Sequence, residues 1–90
     1  MKMIDIERPN QQKLSELGVD SWSVWEKDVS QFDWIYDEKE VCYILAGRAV
    51  VIPKNGESVE FSAGDLVTFR KGLKCVWHIK EPIRKHYQFG

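Results

Sequence analysis

Trp34-Ile35-Tyr36-Asp37-Glu38-Lys39-Glu40-Val41-Cys42-Tyr43-Ile44-Leu45-Ala46-Gly47 and, further on, Gly64-Asp65-Leu66-Val67-Thr68-Phe69-Arg70-Lys71-Gly72-Leu73-Lys74-Cys75-Val76-Trp77 decide how this chain folds. Between and within them, short β-rich runs alternate with corners at Ala46-Gly47, Asn55-Gly56, Ala63-Gly64-Asp65 and Lys71-Gly72. Strands this short, turned this regularly, predict a sandwich or barrel with one inward face. The expected fold is all-β with one short helix near the N-terminus.

The spacing narrows the fold further. Glu40 stands seven positions before Gly47, and Gly64 stands eight before Gly72. This resembles the two motifs of the cupin superfamily, a jelly-roll β-barrel also described as a double-stranded β-helix. Typical first motifs carry a His-x-His pair, then Glu, then Gly. Typical second motifs carry Gly, a Pro-x-Gly corner, then a last His. Glu40, Gly47, Gly64, Asp65 and Gly72 keep that skeleton. Trp34 and Tyr36 fall where the paired histidines stand, Arg70 where the proline stands and Cys75 where the last histidine stands. With Trp77 and the terminal Arg84-Lys85-His86-Tyr87, the chain is similar to small single-domain cupins resembling the (S)-ureidoglycine aminohydrolase cupin domain. The resemblance implies ureide or amide hydrolysis, or isomerisation of a carbohydrate or keto acid. Family sites take a divalent transition metal on three histidines and a glutamate. Imidazole suits those metals, and here all three are replaced, so no metal and no other cofactor is expected.

Ninety residues predict one domain spanning residues 1–90. Lys and Arg number 13 against 14 Asp and Glu, a net charge of -1. Duplex-binding modules need a basic surface, so nucleic acid is not an expected partner. The acids in Met1 to Glu7 do not suit a signal peptide, and no apolar run spans a bilayer. A cytoplasmic protein with two free thiols is expected, with no membrane contact.

Along the chain, residues 2–7 read as an edge strand, a candidate for pairing two copies as a homodimer. Asn10 is a helix N-cap, Leu14 and Leu17 lie one turn apart, and Gly18 is a natural stop. A helix of two turns is expected to need packing to persist. Phe32, Trp34 and Tyr36 share an inward face, as do Glu40, Cys42 and Ile44, with Val41, Tyr43 and Leu45 covered on the other side. Asn55-Gly56 signals a hairpin. Leu73, Cys75, Trp77 and Ile79 line one face of a strand that ends at Glu81-Pro82. A last strand then brings Ile83, Lys85, Tyr87 and Phe89 together, leaving His78 and His86 on the surface.

Two charges stand alone on inward faces. Glu40 is expected to be a catalytic group or else a brace bonded to a Tyr or Trp, since a buried carboxylate needs a partner. Lys85 is expected to serve as a base or an ion-pair partner, or else to snorkel at the rim. The two are expected to meet at the pocket mouth near Tyr36, Cys75 and Trp77. Trp34, Tyr36, Cys42, Cys75, Trp77 and Tyr87 complete the expected substrate-binding set; the bland alternative is that the aromatics are core and the cysteines buried thiols. The expected function is binding, and transformation, of a small polar metabolite. The alternative is a non-catalytic ligand-binding or assembly module.

Overall fold

The computed structural model describes residues 3–90, so Lys2, the first residue of the expected edge strand, lies outside the described residues. Strand β1 (Ile4–Glu7) leads into helix α1 (Gln11–Leu17), a single 3-10 turn at Val19–Ser21, β2 (Ser23–Lys27) and β3 (Ser30–Ile35). Then follow β4 (Glu40–Pro53), β5 (Val59–Ser62), β6 (Leu66–Phe69) and β7 (Lys74–Phe89).

Two of these strands are too long to run straight. At about 3.3 Å per residue, β4 and β7 would each exceed roughly 45 Å, whereas the largest extent of the molecule is 34 Å. Both therefore bend, and both change partners half-way. The first half of β4 pairs with β6 and with the end of β7, while its second half pairs with β5 and the beginning of β7. Strand β1 pairs with β6, β2 with the end of β7, and β3 with its beginning. The continuous antiparallel sheet thus folds into two facing layers. One runs β1-β6-β4-β7-β2 and the other β5-β4-β7-β3, which is the jelly-roll arrangement of a cupin.

The corner between the layers is made where β4 passes β7. The β4–β7 ladder shifts register between Ile44 and Ala49, opposite Glu81 to Arg84. Gly47 has φ 91, and a Cβ built on it would lie 2.0 Å from the Pro82 carbonyl oxygen. Only glycine lets the two backbones approach so closely. Proline is tolerated opposite it because a bulge needs no ladder donor there. Glu81-Pro82 therefore bends one strand rather than separating two, which corrects the expected break.

Helix α1 also departs from expectation. None of its residues is buried, and Leu17 is exposed. Its ends hold it: Asn10 accepts from the Lys13 N–H, and the Gly18 N–H, in the left-handed conformation, donates back to the last turn. Salt bridges Lys13–Glu7 and Arg8–Asp65 flank it. The Asn55-Gly56 hairpin exists but is wide. Its ladder closes at Val51 opposite Val59, and Gly56 keeps an ordinary φ. On the outer face of β4, Val41 and Tyr43 are half-buried and Leu45 is exposed, so that face is only partly covered.

Inside, Ile44, Ala49, Val51, Phe61, Val67, Phe69, Ile79 and Ile83 pack into one apolar core with Tyr36, Cys42, Cys75 and Trp77 at its end.

Candidate functional site

That end opens as a pocket of about 250 Å³, lined by Trp25, Phe32, Trp34, Tyr36, Glu40, Trp77, Lys85, Tyr87 and Phe89. It lies between the layers. Strand β2 brings Trp25, β3 brings Phe32 and Trp34, and the turn after β3 brings Tyr36. Glu40 opens β4, and β7 supplies Trp77 from its first half and Lys85, Tyr87 and Phe89 from its second. Register explains the grouping: Trp25 stands opposite Lys85, Phe32 opposite Trp77, and Glu40 opposite both Phe89 and Phe69. Tyr36 is locked by its backbone, its N–H donating to Leu73 and its carbonyl accepting from Gly72.

Glu40 and Lys85 do meet in the pocket, but buried at its floor and not at the expected mouth: Lys85 Nζ donates to Glu40 Oε2 at 2.8 Å. Both residues are buried, Lys85 at 5% and Glu40 at 3% residual exposure. The ammonium also sits 4.7 Å from the ring centroids of Trp25 and Trp77, inside the range of a cation–π contact. Trp77 Nε1 donates to the Tyr36 hydroxyl at 3.2 Å, and Tyr36 stacks on Phe69 with ring centroids 4.9 Å apart. Burial, then the charge of Glu40, pushes the Tyr36 phenol far above its ordinary value, so it stays a neutral hydroxyl.

The two cysteines stop short of the pocket. Cys42 is fully enclosed in the core beside Ile44 and Val67, and Cys75 Sγ lies 3.7 Å from the Trp34 carbonyl oxygen. Burial pushes the Cys42 thiol up to about 12, and burial followed by Glu40 pushes Cys75 up to about 11. Both are protonated at neutral pH and poor nucleophiles. Of the eight residues expected from sequence, Glu40, Lys85, Trp34, Tyr36, Trp77 and Tyr87 line the pocket and Cys42 and Cys75 do not. Trp25, Phe32 and Phe89 line it as well. The inward face shared by Phe32 with Trp34, and by Phe89 with Lys85, is a local signal that points to two of these three. Trp25 has none, because its place depends on pairing with a residue sixty positions later. His78 and His86, expected on the surface, are both half-buried, and His86 Nδ1 approaches the Trp22 carbonyl oxygen at 3.1 Å.

The residues at the metal-ligand positions implied by the resemblance do not fit a transition metal. The Trp34 indole offers no lone pair, and the Tyr36 oxygen already accepts from Trp77. Cys75 is a thiol held protonated, and Glu40 is engaged by an ammonium. Among the described residues no three His, Cys, Asp or Glu side chains converge as a ligand set. The positive charge next to Glu40 is the chain's own Lys85.

This barrel, bent at Gly47 and opening beside Glu40, is matched over residues 14–87 by the family model of the EutQ-like cupin domain. The chain belongs to that family. A DUF861 family protein from Thermotoga maritima is 50% identical to it, with a TM-score of 0.95, covering 97% of this chain and 99% of that one. The EutQ protein of Clostridium difficile is 27% identical with a TM-score of 0.67 over 73% of this chain, which spans only 52% of EutQ. A putative ethanolamine utilization protein Q from Salmonella typhimurium, 20% identical with a TM-score of 0.65, shares the fold. No curated protein matches the chain. Among the described residues no helix is long and apolar enough to cross a membrane.

Proposed function

We propose that this EutQ-like cupin binds a small polar metabolite in the aromatic pocket and that Glu40 and Lys85 handle protons on it. The observation that carries this reading is the buried ion pair. A Glu–Lys pair removed from water contributes little net stability, and an apolar pair of similar volume is often better by about 1–4 kcal/mol. A charged pair lining an opening is more economically explained as a working group than as a brace.

The geometry supports a division of labour. The Glu40 carboxylate takes a proton from a carbon or nitrogen next to a carbonyl. The Lys85 ammonium, fixed between two indoles, donates to the carbonyl oxygen, where negative charge develops. Tyr36 and Tyr87 position the substrate, and the remaining rings exclude water. Isomerisation of a carbonyl compound asks only for that proton transfer. Hydrolysis of a ureide or amide, the other class the resemblance implies, needs an activated water in addition. Two unpaired thiols support a reducing compartment such as the cytoplasm.

Thermal shift against a panel of neutral and charged polar metabolites tests the reading, because a ligand of the native state raises apparent stability. A responding compound whose effect disappears in Glu40→Gln, with the fold retained, supports it. An unchanged response in that variant makes the pair a brace.

A second reading, a non-catalytic ligand-binding or assembly module, is favoured by the share of EutQ that the chain covers: there the fold is one part of a larger protein. It is favoured also by β1, which lies at the edge of its layer with one side unpaired among the described residues. Two copies joined through β1 would have twice the chain's mass by light scattering; a monomer at all concentrations counts against that pairing.

A further inference from the structure

The Glu40–Lys85 pair leaves hydrogen-bonding capacity unused. Both residues are more than nine-tenths buried, yet both line the pocket. Glu40 Oε2 accepts from Lys85 at 2.8 Å, whereas no group among the described residues donates to Oε1. Among the described residues no fully buried side-chain oxygen or nitrogen lacks a partner, so Oε1 keeps some exposure, and the opening that Glu40 lines is the pocket. An ammonium has three N–H donors, and Lys85 gives one to Glu40. Trp25 and Trp77 offer it ring faces, not acceptor oxygens. The floor therefore presents a free donor and a free acceptor side by side, with no net charge.

These features restrict the ligand. A net charge would enter an apolar-walled site with no counter-charge left over, at high desolvation cost. A purely apolar molecule would bury Oε1 and the ammonium protons unpaired. A neutral molecule with an adjacent acceptor and donor satisfies both. A trans secondary amide shows its C=O and N–H on opposite sides and cannot meet the pair with one edge. A ring holds the amide cis, so both groups face the same way. Trp34 and Phe89, each 45% exposed, flank the mouth from opposite layers and offer stacking faces. The volume, about 250 Å³, is below the roughly 300–1,000 Å³ of drug-sized sites and suits a single ring.

We propose that the pocket takes the lactam edge of a small, uncharged, planar nitrogen ring. Its carbonyl oxygen accepts from Lys85 Nζ and its ring N–H donates to Glu40 Oε1. The assignment rests on the reading of the pocket as a metabolite site and names the chemistry that site recognises.

The four tryptophans provide the probe. Trp25, Trp34 and Trp77 line the pocket, and Trp22 does not. In nitrogen-15 spectra of the intact chain, 2-pyridone should shift the first three indole N–H signals saturably and leave that of Trp22 in place. N-methyl-2-pyridone, which lacks the donor, should bind at least about tenfold more weakly, as should benzoate and benzylamine. In Glu40→Gln the amide oxygen turns to the ammonium and the NH₂ group faces the pocket. Donor then meets donor, and 2-pyridone affinity should fall about tenfold or more. Equal binding of the N-methyl ring overturns the donor–acceptor assignment, and this comparison uses the unaltered chain, so it stands even if Glu40→Gln fails to fold. Tighter binding of benzoate or benzylamine also overturns the assignment, while leaving the pocket a binding site. If none of the rings moves any pocket indole at its solubility limit, the metabolite-site reading falls as well.

Discussion

The barrel has two ends built on different terms. At the Gly47–Pro82 corner, backbone meets backbone, and the neighbouring core of Ile44, Ala49, Val51, Phe61, Ile79 and Ile83 is closed and wholly apolar. At the pocket, side chains carried by four strands and a turn surround an opening that contains the Glu40–Lys85 ion pair. Both ends use the same two bent strands. The corner leaves no room for substitution, whereas the pocket keeps charge and exposed aromatic surface that a core would discard.

The largest effect is expected at the corner. Gly47→Ala puts a Cβ 2.0 Å from the Pro82 oxygen at a φ that side chains rarely adopt. It should prevent folding or remove most of the roughly 5–15 kcal/mol that stabilises a domain. Circular dichroism melts would read this. A near-normal melting temperature would show that the strands can separate at the corner without loss.

Next comes the ion pair. Lys85→Met leaves Glu40 buried without a partner and should cost about 3–5 kcal/mol in urea unfolding. Glu40→Gln combined with Lys85→Met should recover most of that loss, because no unpaired charge remains. If the double variant is as unstable as Lys85→Met alone, the pair is structural and the two ends are not built differently.

Aromatic residues from the two ends sharpen the contrast further. Phe61→Ala, in the closed core at 1% exposure, should cost about 3–5 kcal/mol. Trp34→Ala, at 45% exposure, should cost about 1 kcal/mol or less and should instead abolish ligand-induced stabilisation. Equal losses would make Trp34 a core residue.

The smallest effect is alkaline. Cys42 has its folded value raised from 9.0 to about 12, and Cys75 from 9.0 to about 11, so the folded chain holds both protons more tightly than the unfolded one. Their contribution is fully present below pH 9 and is lost as pH rises through 11 and 12. Stability should therefore decline above pH 9, by roughly 1 kcal/mol per pH unit for Cys42. Tyr36 is raised in the same direction, so its own contribution is also lost with rising alkalinity. Cys42→Ala should flatten the decline between pH 9 and 10 while lowering stability at pH 7. A decline of unchanged slope would remove the thiol as its cause.

What the sequence determined by itself is what local rules govern. Glycines at motif spacing marked the corners, and strand alternation put Glu40 and Lys85 on inward faces, because side chains alternate with a fixed period of two. Asn10 and Gly18 bounded the helix, because caps act within a few residues. Tertiary structure decided the rest. Whether Glu81-Pro82 ends a strand or bends one depends on the β4 backbone lying opposite, far away in sequence. Whether an inward cysteine reaches the pocket depends on the rings around it: the short Cys42 and Cys75 side chains end in the core while longer neighbours extend past them. Trp25 joins the site only because β2 pairs with the far end of β7. A residue's face is a property of its own strand, but what that face meets is set by long-range register, which no local pattern encodes.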